Sequence, residues 1–173
     1  MHPDITYIVC QANSDAVTLG LGEVFYEAVD LLDEVAGQYS HETKEWHRGW
    51  DEIRDRVLYE APINPDYFAR AEDLPSNLDF DPAGLLAALD GVVEQGRVYG
   101  RRDVVVAARE QRNTETWPNP TDYYDETAED FDPEDDSGVD DYKDQLNYLT
   151  GLQAAVDVLT ERYGDPDPSW EPA

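Results

Sequence analysis

Residues 21–57 read LGEVFYEAVDLLDEVAGQYSHETKEWHRGWDEIRDRV, and the spacing of their apolar positions decides the fold class. Leu21, Phe25, Ala28, Leu32, Val35 and Tyr39 recur at alternating steps of four and three, which places them on one face of a helix. That helix is expected to start at Ser14, a good N-cap residue, and to end near Gly37. Ser40 is expected to cap a second helix with the stripe Trp46, Trp50, Ile53 and Val57, while Arg48, Asp51, Glu52 and Asp55 point elsewhere. So short a joint makes the two helices antiparallel neighbours.

Working outward, Asn64-Pro65 and Asp81-Pro82 each combine an N-cap residue with a first-turn proline. They predict a short helix to about Asp73 and a longer one carrying Leu85, Leu86, Leu89, Val92 and Val93, ended by Gly96 or Gly100. A last helix is expected from about Asp140 to Tyr163, with Leu146, Leu149, Leu152, Val156, Leu159 and Tyr163 on one face and a stop at Gly164 before Pro166. Toward the N-terminus, Ile-Thr-Tyr-Ile-Val-Cys at 5–10 is β-prone and short, the signature of one strand. Its candidate partner is Val104–Val106, a segment that fits a helix equally well.

The expected fold is therefore mainly α: a bundle of about five helices with one short N-terminal strand and a long acidic loop. Residues 1–112 form the helical domain, 113–138 the loop, 139–164 a long helix packing on the same domain, and 165–173 a tail.

Charge is the anomaly of the composition. Forty Asp and Glu stand against twelve Lys and Arg, for a net charge of −28, and only Lys44 and Lys143 are lysines. Free nucleic acid and anionic membrane are poor direct partners for such a surface. Carboxylate excess with almost no lysine resembles the proteome-wide habit of halophilic archaea and their viruses, where a Debye length of about 3 Å at molar salt removes most self-repulsion. Cys10 is the single cysteine and lies in an apolar run, so a buried thiol is expected and no internal disulfide is possible. The start MHPDITYIVC lacks the basic region and long apolar stretch of a signal peptide. The expected location is the cytoplasm or a virus particle.

The charge is uneven. Residues 113–138, NTETWPNPTDYYDETAEDFDPEDDSG, hold ten acidic residues, no basic one and three prolines, a composition that by itself predicts disorder. They also hold Trp117, Tyr123, Tyr124 and Phe131, and such rings beside carboxylates suit recognition of a basic protein surface. The candidate partner-binding residues are Trp117, Tyr123, Tyr124, Asp125, Glu126, Asp130, Phe131 and Asp132. Just before them, Arg97, Arg101, Arg102, Arg109 and Arg112 form a basic belt containing half of all the arginines, expected to fold against the loop.

Catalytic apparatus is sparse. His41, Glu45 and His47 suggest zinc, but a His pair on one helix face needs an i, i+4 spacing, and six residues put His47 about 240° around from His41. No glycine-rich phosphate loop, Ser-His-Asp order or CxxC pair is present, and no cofactor is expected. A further candidate is the set Glu23, Glu27, Asp30, Asp33 and Glu34 in the first helix with Glu52 and Asp55 in the second. The run Glu52-Ile-Arg-Asp55 resembles the ExxD half of the motif of all-α MazG-type nucleotide pyrophosphohydrolases, over about a third of the chain; DLLDE at 30–34 departs from that motif's ExxE half. The resemblance implies carboxylates holding a Mg²⁺-bound nucleoside triphosphate.

Three functions follow in order. The first is a non-catalytic acidic helical binding or assembly protein of a halophilic archaeon or its virus, meeting a protein partner with a basic surface or the other subunits of a larger particle. The second is a nucleic-acid mimic that inhibits a DNA- or RNA-binding or defence enzyme. The third is the nucleotide hydrolase.

Overall fold

The computed structural model describes residues 3–62 and 82–166. Four α-helices carry them: α1 (Pro3–Ala36), α2 (Lys44–Glu60), α3 (Pro82–Arg112) and α4 (Ser137–Tyr163), with single 3₁₀ turns at Gly37–Tyr39 and Pro120–Asp122. The mainly helical expectation holds, and no strand is found among the described residues.

Several local readings are corrected. Residues 5–10 belong to α1, which begins at Pro3 and not at Ser14. A strand needs a partner for its backbone groups, whereas a helix satisfies them within the segment. Val104–Val106, the only candidate partner, is helical too, with Val104 and Val105 buried in the core. Thr43, not Ser40, caps α2: its Oγ1 accepts the Trp46 amide at 3.2 Å. Asp136 caps α4 four residues upstream of the expected start. Proline at the first position of α3 and Gly164 ending α4 at φ 87° are as expected. The helix expected over 64–73 lies outside the described residues.

Helix direction alternates along the chain. Asp33 meets Arg54, while Leu21 and Phe25 lie with Glu60 around one cleft, so α1 and α2 are antiparallel. Arg112 meets Gln153 and Arg109 meets Asp165, so α3 and α4 are antiparallel as well. Val17 lies against Gly96 and Val24 against Gly100, so α1 runs parallel to α3.

The most extensive contacts are α1 with α3 and α2 with α4, not the α1–α2 hairpin. Glycine explains this. A Cβ at Gly20 would overlap the Val93 carbonyl oxygen, and one at Gly96 would overlap that of Val17. In the other pair, Gly49 is pressed against the Tyr148 carbonyl and Gly151 against that of Trp46. Each pair of helices thus approaches backbone to backbone through two reciprocal glycines. This is why α3 continues through Gly96 and Gly100 to Arg112: both face α1, and the close approach offsets the poor helix propensity of glycine, about 1 kcal/mol each.

The core fills the space between these pairs. Ala28, Leu32, Trp50, Ile53, Val57, Val104, Val105, Ala108, Leu149, Leu152, Ala155 and Leu159 are almost fully buried. Trp50 stacks on Trp46 at 5.3 Å between ring centres, and its indole N–H donates to the Leu32 carbonyl at 3.2 Å. Tyr39 closes the cluster at 4.9 Å from Trp46.

Candidate interaction surface

The segment between α3 and α4 contains one 3₁₀ turn, yet it is folded by its own Asn and Asp side chains. Asn119 Oδ1 accepts from the amide and hydroxyl of Thr121, and Asp125 Oδ1 does the same for Thr127. Asp132 accepts the Glu134 amide, and Asp136 accepts the Gly138 amide at 2.7 Å. These are side-chain turns that Asx residues favour, repeated along the loop. The Thr127 hydroxyl, with its amide, holds the Asp125 carboxyl below the usual range.

Aromatic rings fasten the loop to α4. Tyr124 and Phe131 stack at 5.5 Å, and Tyr123 and Tyr124 each meet Tyr142 edge-on, at 5.9 and 6.0 Å. Partial desolvation, followed by the Glu126 charge, raises the Tyr124 phenol. At the joint, Gly138 is pressed against the Tyr123 carbonyl, leaving no room for a side chain. Three of the four aromatics read as partner-facing are therefore partly buried against the body. Tyr142, which the sequence reading missed, is their anchor; it precedes Leu146 and Leu149 by four and seven residues and extends the α4 stripe by one turn.

Trp117 differs. Half of its surface is exposed, and its ring lies 4.9 Å from the Arg112 guanidinium carbon. Arg112 is the one buried charged residue among those described. Its Nε donates to Gln153 Oε1 at 3.0 Å and its Nη1 to the Glu115 carbonyl at 2.9 Å, tying the start of the loop to α4. Nearby, the Arg48 guanidinium sits 4.5 Å from the centre of the Tyr148 ring. Desolvation raises the Tyr148 phenol, and Glu52 and Glu115 add to the rise against the opposing charge of Arg48.

The rest of the belt pairs elsewhere. Arg97 holds Glu23 at 2.7 Å and Glu94 at 3.1 Å, Arg101 reaches Glu94, Arg102 reaches Asp103, and Arg109 pairs with Asp165. Meanwhile Asp122, Asp125, Glu126, Glu129, Asp130, Asp132, Glu134 and Asp135 are all exposed. The loop thus turns rings inward and carboxylates outward.

Of the seven carboxylates singled out on α1 and α2, Glu23, Glu27, Asp33 and Asp55 are engaged with arginines. Arg54 grips both oxygens of Asp33, at 2.7 and 3.2 Å, and reaches Asp55 at 3.3 Å. Glu27 accepts from Arg162 and from the Tyr163 hydroxyl. No group of three or more potential metal ligands converges among the described residues. A cleft of about 310 Å³ opens between α1, α2 and α3, with Leu21, Phe25, Val106 and Ala107 beside Arg56, Glu60, Asp103 and Glu110. Burial raises the Asp103 carboxyl there, against the opposing charge of Arg102.

Forty acids against twelve bases also predict how stability responds to salt. Most of the ion pairs are exposed, each contributing about 0–1 kcal/mol, and salt weakens them; salt also relieves the self-repulsion of 28 excess charges, the larger effect. Raising KCl from about 0.1 M to 2 M should therefore raise the melting midpoint, and a fall would show that the ion pairs dominate.

No helix among the described residues is long and apolar enough to cross a membrane. Comparison of the chain with protein-family models, with curated proteins and with solved structures finds no significant match.

Proposed function

We propose that this chain is a non-catalytic binding or assembly protein of a halophilic archaeon or its virus, and that the loop between α3 and α4 docks a protein partner with a basic surface. One observation carries the reading: eight exposed carboxylates sit on a loop folded by its own hydrogen bonds, while Arg97, Arg101, Arg102 and Arg109 pair with carboxylates outside it. A folded array of like charge offers a basic partner many carboxylates for direct contact, which screening weakens least, and loses less conformational freedom on binding than a disordered tail does.

The test compares two amide variants of equal charge. One converts Asp122, Asp125, Glu126, Asp130, Asp132 and Glu134 on the loop; the other converts Asp30, Glu34, Asp51, Asp90, Asp144 and Glu161, exposed on the helices. Asn in place of Asp keeps the side-chain turns, so the fold of the loop survives. For an arginine-rich peptide at fixed ionic strength, the loop variant should bind at least about tenfold more weakly and the helix variant no more than about threefold. Equal weakening would mean that net charge alone is sensed, and the docking role of the loop would be abandoned.

A further inference from the structure

Building on that docking role, we infer that Trp117 is its anchor point and that it receives an arginine side chain of the partner's basic segment, stacked on the indole face that Arg112 leaves open.

The four large apolar side chains that stand exposed among the described residues are Leu58, Tyr59, Val98 and Trp117. Of these, Trp117 alone lies inside the acidic segment. Its exposure is not that of a loose ring, because the guanidinium 4.9 Å away is itself held by Gln153 and the Glu115 carbonyl. A ring immobilised on one face and half exposed has already lost most of the conformational freedom that binding would cost. Such pre-ordered Trp residues are where binding energy concentrates in protein interfaces.

The surroundings select the chemistry. Glu115 precedes Trp117 by two residues, and eight exposed carboxylates follow it on the same loop. The Arg112 guanidinium against the other face is itself buried and hydrogen-bonded. An incoming side chain therefore meets an exposed π face on a loop of strongly negative charge. Arginine fits both features: its planar guanidinium stacks on indole while its N–H groups bond carboxylates. Lysine satisfies the charge but not the planar contact. A second copy of this chain, with forty acids against twelve bases, presents mostly charge of the same sign.

Two peptides of equal length and charge, one built on arginine and one on lysine, test this through Trp117→Ala and Trp117→Phe, with the loop amide variant alongside. The wild-type protein should prefer the arginine peptide about three- to tenfold, as expected for one stacking contact. Trp117→Ala should erase the preference and leave lysine-peptide affinity within about twofold, Trp117→Phe should retain part of it, and the loop amide variant should weaken both peptides alike while keeping their ratio. Acrylamide quenching of Trp117 fluorescence, isolated as the difference between wild type and Trp117→Phe, should fall when the arginine peptide binds. Binding of both peptides without preference, or a preference that survives Trp117→Ala, would overturn the anchor while leaving the docking role standing. If neither peptide binds the wild-type protein, the docking role itself fails.

Discussion

Replacing Gly49 with alanine is expected to destabilise the protein by about 3 kcal/mol, although alanine is the better helix former by about 1 kcal/mol. The added methyl would overlap the Tyr148 carbonyl and approach the Leu152 amide to 2.9 Å, and both are backbone atoms that no rotamer change can move. Relief requires α2 and α4 to separate, which loosens Trp50, Ile53, Val57, Leu149 and Leu152 together. Gly151→Ala should behave alike, because its methyl would strike the Trp46 carbonyl. Gly91 is the internal control: it lies in α3 with open space around it, so alanine there should stabilise by about 0.5–1 kcal/mol. Urea unfolding midpoints decide the matter; a loss at Gly91 equal to that at Gly49 would refute the account of close helix approach.

The second large effect is expected at Arg112. Methionine keeps much of its length but strands the Gln153 Oε1 and the Glu115 carbonyl, and it removes the cation from beneath Trp117. Unsatisfied acceptors cost about 1–3 kcal/mol, and a partly desolvated cation–π contact contributes about 1 kcal/mol, so a loss of about 2–4 kcal/mol is expected. Beyond the lost stability, Trp117 should become fully accessible to acrylamide while Trp46 and Trp50 stay protected in the core. Arg101→Met is the contrast, because Arg101 makes an exposed 3.4 Å pair with Glu94, and it should change stability by less than about 0.5 kcal/mol.

How far the sequence disclosed the fold can be judged from particular residues. The stripes Leu21 to Tyr39, Trp46 to Val57 and Leu146 to Leu159 were legible because a helix half in water must repeat its apolar residues every three or four positions. Gly164 ended α4 as expected because glycine tolerates the φ of 87° found there. Gly96 and Gly100 misled for an instructive reason: glycine ends a helix in isolation but also lets two helices touch, and only the partner helix distinguishes the two uses. Ile5–Cys10 misled similarly, because β-branched and aromatic residues favour a strand only where a sheet is available.

The interaction surface was legible as composition and not as arrangement. The ten acids and four rings at 113–138 marked the loop, but pairwise geometry assigned Tyr123, Tyr124 and Phe131 to inward packing and left Trp117 outside. That geometry depends on Tyr142 and Gln153, which lie in α4 and carry no signal of their own within the loop. Likewise, sequence proximity suggested that the arginine belt would neutralise the loop, whereas Glu23, Glu94, Asp103 and Asp165 lie closer in space to four of its five members.

The central claim is that residues 113–136 form a folded, α4-anchored platform and not an acidic tether, and amide hydrogen exchange at molar KCl tests it most directly. The amides of Tyr124, Thr127, Phe131, Glu134 and Asp136 are bonded to Pro120, Asp125, Ala128 and Asp132 within the loop. They should exchange on the order of a hundredfold more slowly than an unstructured chain of the same sequence, and Arg112→Met should reduce that protection first around Glu115 to Trp117. Exchange at the unstructured rate throughout 113–136 would contradict the account.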